Sequence, residues 1–273
     1  MEGGPREEVR AWRPAVPGIT EVFHARFTEH AYPSHTHDAW TLLIIDAGAV
    51  RYDLDRHEHG ALPTSVTLLP PHVAHDGRSA RPGGFRKRVV YLDDTALGPR
   101  ELTGRAVDRP DLDDPVLRHR VDQLHRVLDH AGEELAAQSR LAFITERLAA
   151  HLGDERRPGP RRDPGLAHRL RDLLDARLPG GLGLDEAARV LHAHPTHLVR
   201  AFSAEFGLPP HRYLTGRRVD LARRLVLGGM PAAEVAGAAG FHDQSHLTRH
   251  FRRVTGTTPG RFATSGRGSA GRP

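Results

Sequence analysis

The spacing of hydrophobic residues changes partway along the chain. From Ile19 apolar and polar positions alternate: Phe23, Ala25 and Phe27 against His24 and Arg26, then Val50, Tyr52 and Leu54 against Arg51, Asp53 and Asp55. A period of two is strand spacing. Between these stretches residues 39–46 run apolar at strand length, and 65–69 and 85–92 add further strand-like segments, each broken by Gly, Pro or polar turns. Many short strands at close spacing predict a sandwich or barrel over residues 18–113. From Asp114 the period becomes helical. Asp114 can cap and Pro115 open a helix carrying Leu117, Val121, Leu124 and Leu128 on one face. A second helix from about residue 133 carries Ala137, Leu141, Ile144, Leu148 and Leu152. Residues 153–165, GDERRPGPRRDPG, hold no apolar side chain larger than proline and read as a linker. Residues 1–17 read as a flexible arm and 265–273 as a flexible tail.

Beyond the linker every segment is helical. Leu166, Leu170, Leu173, Leu174 and Leu178 form one stripe that ends at Pro179. Two helix-turn-helix patterns follow. In the first, a short helix over 185–191 turns at His192-Ala193, and a second helix runs from Pro195 to a stop at Gly207. Leu198, Ala201, Phe202 and Phe206 are its core face, with Thr196, Arg200 and Ser203 opposite and His197, Val199 and Ala204 at the flanks. A long helix over 211–227 connects to the second pattern. There 231–239 is helical, Gly240 supplies the stop, and Asp243 caps a helix that ends at Gly256. Leu247, Phe251 and Val254 form its apolar stripe. Ser245, Arg249 and Arg252 stand opposite, flanked by His246 and Arg253. A helix, a tight turn and an arginine-faced helix is the pattern of major-groove readers.

The stretch 231–262, PAAEVAGAAGFHDQSHLTRHFRRVTGTTPGRF, resembles the signature of the AraC/XylS family of bacterial transcription regulators. The resemblance rests on Glu234-Val235-Ala236, Gly240-Phe241, Asp243-Gln244-Ser245-His246, Arg249-His250-Phe251-Arg252, Gly256 and Thr258-Pro259. Residues 166–264 are thereby expected to be an all-α DNA-binding domain with two helix-turn-helix motifs. Over roughly 19–93 the chain is similar to a cupin, the small jelly roll, and to the N-terminal sensor of many AraC-type regulators. That similarity is carried by His35-Thr36-His37, Gly60-Ala61-Leu62-Pro63 and Pro71-His72-Val73-Ala74-His75-Asp76. The expected fold is α+β in two domains: a cupin-like β-barrel with a helical pair over 114–152, then the helical domain.

Composition sharpens this picture. At 273 residues the chain is long enough for two cores. It has no cysteine, which excludes a disulfide framework, a thiolate zinc site and a thiol nucleophile. No apolar run approaches the roughly 20 residues of a membrane span, and the first residues lack an apolar signal core, so a cytoplasmic protein is expected. Charge is unevenly spread. From Leu166 onward there are 16 Arg against 8 Asp plus Glu, whereas the preceding part is mildly acidic. A basic helical half suits double-stranded DNA as partner, and a solvated basic surface gives the same count.

On DNA the N-terminal residues of each second helix would reach base edges. Arg200 and Arg249 can each grip guanine with two bonds and Gln244 can pair with adenine. Thr196, His197, Ser203, Ser245 and His246 are shorter candidates, and Val199 is a candidate for a thymine methyl or for the core. Arg252 and Arg253, with Arg217 and Arg218, suit phosphates.

In the barrel the expected partner is a small-molecule effector, with His35, His37, Trp40, Tyr52 and His75 lining its pocket. Metal-binding cupins add an acidic ligand soon after the His-x-His pair. Here that position is Thr41 or Leu42, so the set is one short and neither a metal nor another cofactor is expected. The expected function is a ligand-controlled transcription regulator, not an enzyme. The alternative is a metal-dependent cupin enzyme with an appended helical domain. The stripe over 133–152 serves either dimerisation, as such helical pairs commonly do in the resembling sensors, or internal packing. A homodimer is expected, and RNA polymerase is a further candidate partner.

Overall fold

In the computed structural model, residues 7–97, 103–153 and 163–267 are described. They fall into two units, one comprising Met1–Leu128 with Arg140–Pro158, the other Asp129–Ser139 with Gly159–Pro273. The residues between 154 and 162, most of the expected linker, and the tail beyond 267 lie outside the described residues.

Among the described residues the first unit has ten antiparallel strands: β1 (Glu8–Trp12), β2 (Ile19–Phe27), β3 (Ala31–His35), β4 (Trp40–Ala47), β5 (Val50–Leu54), β6 (His57–Ala61), β7 (Val66–Leu69), β8 (His75–Ser79), β9 (Phe85–Leu92) and β10 (Asp111–Leu112). They form a six-stranded sheet, β1-β2-β9-β4-β7-β10, and a four-stranded sheet, β3-β8-β5-β6. The expected barrel is thus a double-sheet jelly roll, and no ladder joins the two sheets among the described residues. One core sits between them, made from Ala25, Phe27, Leu43, Ile45, Phe85 and Val89 of the larger sheet and Val50, Tyr52 and Leu54 of the smaller. The alternation read from β2 and β5 is therefore the inward face of each sheet.

β4 is apolar without a break because both its faces are covered. Leu43 and Ile45 point into the core between the sheets, while Trp40, Leu42 and Ile44 are buried on the other side. Two short helices, α1 (Asp94–Leu97) and α2 (Thr103–Asp108), precede the helical pair α3 (Pro115–Leu128) and α4 (Glu134–His151). Asp114 does cap α3, accepting from the amides of Val116 (3.1 Å) and Leu117 (3.0 Å). The same carboxylate is paired with Arg147 and with His151 Nε2 at 2.7 Å, tying the start of α3 to the end of α4.

Two expectations are corrected here. Part of the supposed flexible arm is strand β1, paired with β2 from Glu8↔Arg26 to Trp12↔Val22. Its side chains are largely exposed, so no alternation marks it, and backbone pairing with additions such as Arg10 over the Trp12 ring (4.2 Å) holds it. The α4 stripe is not an open face either. Leu141, Ile144 and Leu148 are buried within the single chain, Ile144 and Leu148 at 0 % exposure, which favours the internal-packing reading.

The second unit contains α5 (Pro164–Ala176), α6 (Leu184–Leu191), α7 (Pro195–Phe206), α8 (Pro210–Leu227), α9 (Ala232–Ala238), α10 (Gln244–Thr255) and α11 (Pro259–Arg267). The boundaries are chemical. Asp163 caps α5 through the Leu166 amide, Asp243 caps α10 through the His246 amide at 2.7 Å, and Gly207 and Gly256 end α7 and α10 in the left-handed region. Val219, Ala222 and Val226 of α8 pack with Val235, Ala236, Phe241, Leu247 and Phe251 to give the second motif its own core. Gly240 makes the tight turn of that motif with φ +80°, and a Cβ there would strike the Pro179 carbonyl. Val254 departs from the expected stripe, being 55 % exposed. The α10 end instead meets α11, where Phe262 packs on Phe251 with ring centroids 5.4 Å apart.

Candidate DNA-reading helices and sensor cavity

Helix α10 separates its chemistry by face. Leu247 and Phe251 are fully buried, while Gln244, Ser245, Arg249, Arg252 and Arg253 are exposed and, with Thr248, line one outward concavity. Thr248 was not singled out from the sequence, although it stands four residues from Gln244 and from Arg252 and so shares their face. His246 does not belong to this surface. It is buried, edge-on to Phe241, with its Nδ1 accepting from the His242 amide at 3.2 Å. Burial first, then the charges of His250 and Arg249, lowers its pKa to about 4.

Beneath the same helix lies a residue that no local pattern singles out. Glu133, on the turn before α4, accepts from His250 Nε2 at 2.7 Å and from Arg249 Nη2 at 3.0 Å through the same oxygen. Burial would raise its pKa, but the His250 hydrogen bond and the surrounding positive groups outweigh it and hold the carboxyl at about 2. The approach is tight: Gly132 has φ +84°, and a Cβ there would collide with the His246 ring. One of the two arginines expected to read bases is thus held by a carboxylate within its own unit.

Helix α7 offers less. Thr196 is buried, so it is withdrawn as a base contact. Val199 is fully buried and belongs to the core. His197, Arg200 and Ser203 are partly exposed, and Ser203 Oγ donates to the Val199 carbonyl at 2.7 Å. Arg200 is the long-reach group of this face. Of the supposed phosphate contacts, Arg217 pairs with Asp175 (3.0 Å) and Arg218 donates to the carbonyls of Pro179 and Gly180, so both brace the helical unit.

In the first unit a cavity of about 170 Å³ opens between the sheets. His35, His37, Tyr52 and His75 line it, as expected from the sequence. Trp40 does not. It is buried on the opposite face of β4, and Thr41 and Leu43 present themselves to the cavity instead. Strand alternation puts Trp40 and Thr41 on opposite faces of β4. The sequence reading missed Tyr32, Lys87 and Tyr91. A signal existed, because Phe85, Lys87, Val89 and Tyr91 are alternate residues of β9 and two of them are core. Lys87, the chain's only lysine, sits with Nζ 4.0 Å from the Tyr32 ring centroid, and desolvation lowers its pKa to about 8. His37 is lowered to about 4, by burial and then by His75 and His35. Tyr52 Oη donates to Asp111 Oδ2 at 2.7 Å.

These two arrangements coincide with the sequence families the chain matches. Residues 17–144 match AraC-like ligand binding domains, and residues 187–265 match a helix-turn-helix domain. The chain belongs to the AraC-type regulators. A Bacillus subtilis relative described as an uncharacterized HTH-type transcriptional regulator, YbfI, is 24 % identical over 83 % of this chain and 85 % of its own length. The HTH-type transcriptional regulator VirS of Mycobacterium tuberculosis is 34 % identical, over 54 % of this chain and 40 % of its own. Among solved structures, the AraC-like transcriptional activator CuxR aligns over 86 % of this chain and 85 % of its own, at 15 % identity and a TM-score of 0.44. This AraC-type regulator is a DNA-binding transcription regulator with a ligand-binding N-terminal domain, and the relatives are regulators, not enzymes. Among the described residues no helix is long and apolar enough to cross a membrane.

Proposed function

We propose that this regulator reads two successive major-groove segments of an operator, one with α7 and one with α10, and that a small effector in the inter-sheet cavity controls it. The observation that carries the DNA half is the outward face of α10. Gln244, Ser245, Thr248, Arg249, Arg252 and Arg253 stand together on it, opposite a fully buried Leu247 and Phe251. In this reading Arg249 and Arg200 grip guanines, Gln244 pairs with adenine, and Ser245, His197 and Ser203 make shorter contacts. Arg252 and Arg253 hold phosphates and fix register. Helix α8 has 18 residues; at 1.5 Å per residue it spans about 27 Å, which, with the width of the flanking motifs, suits reading helices about 34 Å apart.

The effector half follows from the cavity. At about 170 Å³ it is below the roughly 300–1,000 Å³ of drug-sized sites, so the effector is small. The Lys87 ammonium favours an anionic group such as a carboxylate. Two copies on paired operator sites belong to the same reading, with a contact other than the buried Leu141–Ile144–Leu148 stripe. RNA polymerase is the partner such a regulator meets at a promoter, and the work is done in the cytoplasm.

The test is binding to operator fragments selected from the host genome. Log affinity should fall linearly with log salt at about −0.9 per phosphate contact, and Arg249→Ala should relax preference at one base pair. A folded protein with no DNA affinity at low salt overturns the reading.

A further inference from the structure

Among the described residues the two sheets end on four edge strands, and three of them are blunted. β3 carries Pro33, which has no amide to give a neighbouring strand. β10 is two residues long, and its Asp111 takes a hydrogen bond from the amide of Gly60 in β6, so those two edges lie against each other. β1 is the exception. Its five residues pair with β2 without a register shift, contain no proline and are largely exposed, and no described strand pairs with its other side. A regular, exposed edge of this kind is a template for a further strand.

The register says what that strand must carry. Val9 sits opposite Ala25 and Ala11 opposite Phe23. Directly opposed residues share a face, and Ala25 belongs to the core between the sheets, so Val9 stands on the core side of the sheet. It is nevertheless 55 % exposed. Glu8, Arg10 and Trp12 take the other face, where Arg10 lies over the Trp12 ring at 4.2 Å. The added strand should therefore bring an apolar residue opposite Val9 and complementary charges opposite Glu8 and Arg10.

β1 meets these requirements itself. Two copies related by a two-fold axis normal to the sheet pair antiparallel, and the axis must pass between identical residues if opposed side chains are to share a face. With Val9 on the axis, Glu8 faces the partner's Arg10, Arg10 faces the partner's Glu8, and the two valines meet. Moving the axis to Glu8 or to Arg10 sets like charges face to face, which is destabilising. Moving it to Ala11 sets Val9 against the partner's Arg13. Charge pattern and symmetry together select one register.

We propose that β1 is the self-association edge of this regulator, with two copies joining their six-stranded sheets across a two-fold axis at Val9. This rests on the reading that two copies act on paired operator sites, and it names their contact. A single strand pair is a small interface, so the dimer is weak in solution and gains on paired sites, where DNA raises the effective concentration.

The test is sedimentation of the full chain without DNA, with circular dichroism to confirm that each variant folds. The expected result is a reversible dimer at tens of micromolar. Glu8→Arg and Arg10→Glu should each weaken it by about ten-fold or more, because each turns two opposite-charge pairs into like-charge pairs. The double variant Glu8→Arg/Arg10→Glu restores the opposition and should return the affinity to within about three-fold of wild type. The chain has no cysteine, so Val9→Cys supplies a single thiol. It should form an interchain disulfide under mild oxidation, since directly opposed residues lie close to disulfide reach. Leu62→Cys, at a position 48 % exposed just after β6, should not. A monomer at tens of micromolar leaves the edge to a strand of another protein and overturns the proposal. So does a dimer that both charge reversals leave intact, or one that Val9→Cys fails to cross-link. None of these measurements involves DNA, so losing this interface leaves the operator reading to its own test.

Discussion

Replacing Glu133 by glutamine removes one negative charge from beneath α10 and keeps a carbonyl for His250. In the wild type Arg249 Nη2 sits 3.0 Å from Glu133 Oε1, with the arginine side chain 40 % and the carboxylate 16 % exposed. For Arg249 to grip a guanine it must leave this partner. Because the arginine is more than a third exposed, solvent screens the pair, and its worth is about 0.2–1 kcal/mol, the range of exposed ion pairs. Glu133→Gln should therefore raise operator affinity by up to about five-fold. Arg249→Ala should lower it by about 1–3 kcal/mol, the worth of a bidentate guanine contact. The decisive comparison is the double-mutant cycle. Once Arg249 is absent, Glu133→Gln has nothing to release, and its gain should vanish. Fluorescence anisotropy on a labelled operator duplex, with circular dichroism to confirm folding, measures all four corners. If Glu133→Gln weakens binding in a folded protein, the carboxylate braces the reading helix. If its gain persists without Arg249, the ion pair does not restrain that arginine. Either outcome refutes the competition argued from the geometry.

Other outcomes can be checked alongside. Arg200→Ala should change base preference about one helical turn from the position affected by Arg249→Ala, while Arg253→Ala should weaken specific and random DNA alike; systematic operator substitution distinguishes them. Leu148→Ala, at a fully buried position, should destabilise the protein by about 2–5 kcal/mol in urea unfolding, and Leu148→Arg should yield misfolded protein in place of a soluble monomer. The depressed pKa of Glu133, about 2 against an ordinary 4.5, means its contribution to stability is fully present above the unfolded value. That contribution is lost as pH falls from about 4.5 towards 2. Between pH 5 and 3 the wild-type melting temperature should fall more steeply than that of Glu133→Gln.

The two motifs of the helical unit were legible because each boundary is a local device. Asp243 reaches an amide three residues away, Gly207 and Gly256 adopt a backbone that other residues resist, and the stripes through Leu198 and Phe202 or Leu247 and Phe251 repeat at helical spacing. Strand alternation likewise revealed β5, whose Val50, Tyr52 and Leu54 are buried while Arg51 is exposed, and the end of β2, where Ala25 and Phe27 are buried and Arg26 is exposed. What only tertiary structure decided involves groups distant in sequence or strands without that asymmetry. β1 carries no pattern because its register comes from backbone pairing with β2. Trp40 and Thr41 are adjacent in an unbroken apolar run, and only the placement of sheets and helices on either side of β4 says which faces the cavity. His246 looked like a surface residue on helical period, but Glu133 and Phe241 cover that flank. The Arg249–Glu133 pair spans 116 residues of sequence. The convergence of His35, His37 and His75 depends on the β3–β8 register. A single sequence read locally records which groups a segment offers, whereas their meeting is fixed by long-range packing.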